Sequence, residues 1–137
     1  MTALTLDRNT PRRAGKQVTA PLAATAVIYT GGMFTLDAAG NAKAAVAADK
    51  KPVHAVATVR AVKAEGAELA HGERDVFRLD NASDAKAITR ADIGANAYVV
   101  DDQTVGKTGN SIAGEIVDVD DVGVWVDIGK AAAPTSA

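Results

Sequence analysis

The sequence predicts a small all-β protein, mainly β with one short helical turn, built as a β-sandwich or β-barrel with an extended N-terminal arm. Three observations lead there. Sixteen of its 28 Val, Ile and Leu residues are Val, whose branched side chain loses less freedom on a pleated sheet than in a helix. Short apolar runs recur between clusters of Gly, Asn and Asp, a spacing typical of a compact sandwich or barrel. Residues 91–129 set three such strand patterns end to end.

The 137 residues suffice for one domain, which divides into an extended arm at 1–21, a β-rich body at 22–129 and a flexible tail at 130–137. Of 65 apolar residues, 30 are Ala, so the expected core is thin. Association with other subunits, or attachment to something larger, is one way such a domain buries more apolar area. Without Cys, disulfides and thiolate metal sites are excluded. The N-terminus MTALTLDRNTPRR lacks the uninterrupted apolar core of a signal peptide. No run approaches the roughly 20 apolar residues of a membrane span. A soluble chain made in the cytoplasm is the expectation.

A net charge of −2 conceals an asymmetry. Residues 7–16 hold Arg8, Arg12, Arg13 and Lys16 against Asp7, a local +3 that leaves −5 elsewhere. A basic arm on an acidic body is an electrostatic handle for an acidic surface. Four cations without interleaved aromatics give little support to direct nucleic-acid binding.

Along the chain, Pro11, Gly15 and Pro21 interrupt the first segment, which reads as an arm ordered mainly by what it touches. Ala24 to Thr30 is a strand pattern ended by Gly31-Gly32. Met33 to Leu36 and Ala42 to Val46 then form a hairpin across Asp37 to Asn41, where Gly40 and Asn41 suit positive φ. Val53 to Lys63 mixes period two with period three, and its β-branched content favours a strand with a bulge near Ala61-Val62. Ala64 to Glu73, with two glycines and several charges, reads as a surface loop. In DVFRLD at 75–80, Phe77 and Leu79 point one way and Val76 and Arg78 the other.

Ile88 to Gly94 reads as one helical turn, capped by Thr89, answered by Asp92 and stopped by Gly94. It feeds a strand at Ala97 to Val100. After a loop at 101–112, Gly114 to Asp120 pairs with Val124 to Ile128 across Asp121-Val122-Gly123.

Four sets of residues invite chemistry. Gly106-Lys107-Thr108 resembles the end of a phosphate-binding loop, but Asp101 stands where the motif needs its first glycine and no helix follows. Asp101, Asp102, Asp118, Asp120, Asp121 and Asp127 raise Ca²⁺ binding; an Asp-x-Asp-x-Asp-Gly loop is missing, and alternating Asp also solubilises an exposed strand. His54 and His71 have neither nucleophile nor third ligand beside them, and His54 is expected on the outer face of its strand. Asn81-Ala82-Ser83 matches a glycosylation sequon by chance. No catalytic residue, cofactor or metal is expected. Trp125 is the sharper clue: alternation sends Val124, Val126 and Ile128 inward and leaves Trp125 beside Asp127. Either it anchors an interface or the protein's own arm or second sheet covers it.

The phrases LTLDRNTP near the N-terminus, TGGMFTLDAAG at 30–40, ADIGANAYVVDDQTV at 91–105 and AGEIVDVDDVGVWVDIG at 113–129 resemble tailed-bacteriophage capsid decoration, or cement, proteins. The likeness covers most of the chain, with 41–75 matching no family phrase. It implies a non-enzymatic structural virion protein on the outer surface of an icosahedral shell. Its partners would be the major capsid protein and itself, as a homotrimer or else a dimer; the basic arm and the outward aromatic make Arg8, Arg12, Arg13, Lys16 and Trp125 the expected contacts. A tail or baseplate β-module, or a surface adhesion domain, is the alternative.

Overall fold

The computed structural model describes residues 2–13 and 15–129; the expected tail at 130–137 lies outside them. The fold is all-β. Twelve strands are present among the described residues: β1 Gln17–Pro21, β2 Val27–Ile28, β3 Met33–Leu36, β4 Ala42–Ala44, β5 Val53–Ala57, β6 Ala61–Val62, β7 Leu69–Glu73, β8 Val76–Asn81, β9 Asn96–Val99, β10 Thr104–Gly106, β11 Ile112–Val119 and β12 Val124–Ile128. They form a five-stranded sheet in the order β1-β7-β5-β3-β4, a closed barrel in the order β10-β8-β12-β11-β9, and a β2-β6 ribbon.

The barrel closes through its one parallel pair, Thr104 opposite Asp80 and Val105 opposite Asn81. A five-stranded barrel curves tightly, and β11 supplies the bend. Its registers skip Ala113 against β9 and Val117 against β12, two bulges in one strand. Gly114, beside the first bulge, has no room for a side chain, since a Cβ there would strike the Asp127 carbonyl. Inside, Leu79, Val99, Val105, Ile116, Val124, Val126 and Ile128 alternate into one core, which Met33, Val53 and Val56 of the sheet complete.

The opposite face of the sheet builds a second core around Phe34. Its neighbours are small: Ala20, Ala26, Ala42, Ala55, Ala57, Ala61 and Ala70, with Leu22 and Ile28. One aromatic ring takes the volume that the alanines leave. Gly72 on β7 lies beneath it, where a Cβ would sit 2.7 Å from both the Phe34 ring and Ala55 Cβ.

Thr35, fully buried, donates its hydroxyl to Asp49 Oδ2 at 2.8 Å, and Lys43 Nζ and the Val46 N–H donate to the same carboxylate. Burial works against that charge. The bonds from Lys43, Val46 and Thr35 outweigh it and hold the carboxyl below its usual range.

Several expectations are corrected. The arm is shorter than expected, because Gln17–Pro21 pairs with β7 in full register. Ala64 to Glu73 is not simply a loop: Lys63–Glu65 is a 3-10 turn and Leu69–Glu73 an inner strand, whose Ala70 and Gly72 serve the Phe34 core. Val53 to Lys63 is two strands broken at exposed Thr58–Arg60. The bulge falls at His54, not at Ala61-Val62. The loop at 101–112 contains β10. Arg90–Asp92 is a second 3-10 turn, with Thr89 and Asp92 forming the expected capping box and Gly94 at φ +94°. Gly40 alone takes positive φ in its turn; Asn41 does not.

Gly72→Ala should lower stability by about 1–3 kcal/mol, through overpacking against Phe34. Asp49→Asn should cost about 2 kcal/mol, read by denaturant unfolding near neutral pH. The Asp49 contribution is complete above the unfolded carboxyl value of about 3.9 and disappears as pH falls through the lower folded one.

Candidate functional site

Three surfaces carry the polar chemistry: the arm, a groove beside it and the outer face of the barrel. Residues 2–13 are exposed throughout and form no helix or strand. Leu4 and Leu6 are 72% and 83% exposed. Arg8, Arg12 and Arg13 enter no ion pair among the described residues. Lys16 differs from them. Its carbonyl accepts from the Arg74 N–H at 2.7 Å and its ammonium reaches Asp75 at 3.5 Å, so it roots the arm at the junction of β7 and β8. The ion pair is exposed and contributes little; the backbone bond fixes the position.

Above this root lies an open groove of about 810 Å³, lined by Arg13, Thr19, His54, His71, Glu73 and Arg74 among others. The bulge at His54 aims the imidazole here, 5.8 Å from the Phe34 ring. Arg74 grips that bulge twice, through Nε to the His54 carbonyl at 2.8 Å and Nη2 at 3.1 Å from Nδ1. A guanidinium only donates, so His54 Nδ1 is the lone-pair nitrogen and the proton sits on Nε2. Burial, then the Arg74 charge, holds His54 below its ordinary value. His54 is therefore half-buried rather than on a plain outer face. Arg74 was missed from sequence because residues 64–73 read as a loop, which left no strand to place it beside His54.

On the barrel, Trp125 faces outward beside Asp127, as alternation requires, and is half-buried. The hydrogen bond and ring contact it makes come from its own barrel. Its indole N–H donates to Asp120 Oδ2 at 2.9 Å, and its cross-strand partner Arg78 places Cζ 5.9 Å from the ring. Asp120 is held low in pKa by the Trp125 bond and then by the Val122 and Gly123 N–H groups. Val76 and Val117, 39% and 44% exposed, are apolar positions on the neighbouring strands β8 and β11.

The remaining candidates resolve locally. Gly106 lies in β10, and the Lys107 N–H donates to the Lys86 carbonyl at 2.9 Å, so that amide is turned into the protein rather than toward an anion. Asp118 pairs with Arg90 at 2.9 Å, and Asp101 caps the Gln103 N–H. Among the described residues no group of three or more His, Cys, Asp or Glu could hold a metal ion. Asn81 uses both ends of its amide on the Ile88 backbone, where a glycan would break the clamp. The structure thus joins Arg13, Lys16, His54, His71 and Arg74 in one region and leaves Trp125 on another.

Because burial and the Arg74 charge lower the His54 pKa in the fold from about 6.5 when unfolded, its contribution is complete above about pH 6.5 and is lost as pH falls toward the lower folded value. Unfolding free energy should therefore decline on acidification, and His54→Gln should flatten that slope in denaturant titrations. An unchanged slope would assign the effect elsewhere. Comparison with known proteins gave no match, whether to a family model, a curated protein or a solved structure.

Proposed function

We propose that this chain is a structural virion protein that binds the outer surface of an icosahedral phage capsid and stabilises the shell, with the major capsid protein as its partner. The observation that carries the reading is the arm. Twelve described residues, with Arg8, Arg12 and Arg13 unpaired among them, stand off a rigid β body and are rooted in it at Lys16. Such an arm contributes contact area only when laid on a second surface. The sequence phrases at 30–40, 91–105 and 113–129, which resemble cement proteins, fall on the sheet hairpin, on β9 and β10, and on the β11-β12 hairpin.

The mechanism is mechanical. The arm's arginines meet carboxylates on the shell or on a neighbouring subunit, and the root at Lys16 passes the load to β7 and the sheet. Weak contacts repeated over one particle add by avidity. In this reading the protein itself assembles as a homotrimer, with Trp125 contributing a subunit or shell contact.

Co-sedimentation with emptied, expanded shells tests the reading. Saturable, stoichiometric binding is expected; failure to bind any shell would sink it and favour a tail, baseplate or adhesion module. Deleting residues 1–13 should lower shell occupancy while leaving the thermal transition in place, because described residues 2–13 form no helix or strand. Trp125→Ala should weaken shell binding or self-association by more than about 2 kcal/mol if its indole is a hot spot.

A further inference from the structure

We infer that the outer β8-β12-β11 face of the barrel is the seat for the N-terminal arm of a second copy of this chain. The inference names a partner for two surfaces read above as contact elements, and it rests on that reading.

The arm has the composition of a ligand. Leu4 and Leu6 are exposed and the three arginines are unpaired among the described residues. The described arm bends at Thr5 and Leu6; drawn out on a partner surface, Leu4, Leu6 and Arg8 share one side, with successive members roughly 6.8 Å apart. The barrel face carries the complementary pattern. Along β12, Trp125 and Asp127 share the outer side at that same spacing of about 6.8 Å. Val76 lies opposite Asp127, Arg78 lies opposite Trp125, and Val117 is thrust out by its bulge. Leu6 against Trp125 places Arg8 against Asp127, a carboxylate without an ion-pair partner among the described residues. Asp120 adds negative charge beside the indole, while Asp118 is already held by Arg90.

A second copy, rather than the chain's own body, is the donor. From its root the arm runs past the His54 groove, which Arg13 and Gly15 help to line. Its described residues remain exposed instead of covering Trp125. Residues 4–13 reach about 33 Å when extended. Each copy gives one arm and receives one, a head-to-tail arrangement that closes into a ring when the rotation allows.

Sedimentation of the full chain across a concentration series provides the test. Wild type should self-associate, and Arg8→Glu or Asp127→Arg should each weaken association by about tenfold, with stronger salt dependence in wild type. Mixing the two variants should recover part of the association, since neighbours of different variant pair opposite charges while a like pair in a three-membered ring stays repulsive. Thermal melts matching wild type establish that both variants fold. A wild type that stays monomeric, or a mixture no better than its components, overturns the inference. A monomer whose Trp125 fluorescence shifts on Arg8→Glu also overturns it, in favour of docking on the chain's own face. Persistent self-association without shell binding would instead retain this interface and remove the capsid reading.

Discussion

Two adjacent residues on one strand hold the molecule together. Met33 and Phe34 are both fully buried and, because strand side chains alternate, they enter different cores. Met33 closes the barrel interior, while Phe34 fills the alanine-lined space on the other side. β3 is therefore a wall shared by two cores, one rich in Val, Ile and Leu inside the barrel and one lined mainly by alanines on the other side. Burying one aromatic ring contributes roughly 1.5–3 kcal/mol by area, so the second core depends heavily on a single residue. The barrel adds its own ties to this wall: Asp102 O accepts from the Met33 N–H at 2.8 Å, and the buried Ser111 hydroxyl donates to Lys51 O at 2.7 Å.

That arrangement determines what the outer surfaces can do. Since the interior is consumed by packing, the polar groups with freedom to act are on the arm, around the His54 groove and across the barrel face. Arg74 links two of these, gripping the His54 bulge with its side chain while its backbone N–H holds Lys16. The arm is thus free along its length yet fixed at its base. A fixed base matters for a protein proposed to bear load, because a contact transmits force only if both ends are anchored.

Much of this was legible in the sequence where large side chains alternate or turn chemistry is local. Val124, Val126 and Ile128 set the closing hairpin and the outward Trp125, and Thr89 with Asp92 gave the capping box. The failures share a cause. In Leu69–Glu73 the buried side is Ala70 and Gly72, residues too small to register as a hydrophobic face, and only Phe34 packing above them reveals why they are inside. β10 is three residues long and is held by pairings to β8 and β9 that come from distant sequence. Pro21 ends β1 rather than belonging to a loose arm, because a proline at a strand end leaves the rest of the ladder intact. The His54–Arg74 contact spans 20 positions, and no local pattern announces it.

The most direct measurement of the central claim is a cryo-electron microscopy reconstruction of expanded shells saturated with the protein. The account predicts barrel-sized density at repeated sites on the outer surface, with arm density laid on the shell or crossing to a neighbouring barrel. A bare outer surface at saturating protein would contradict it.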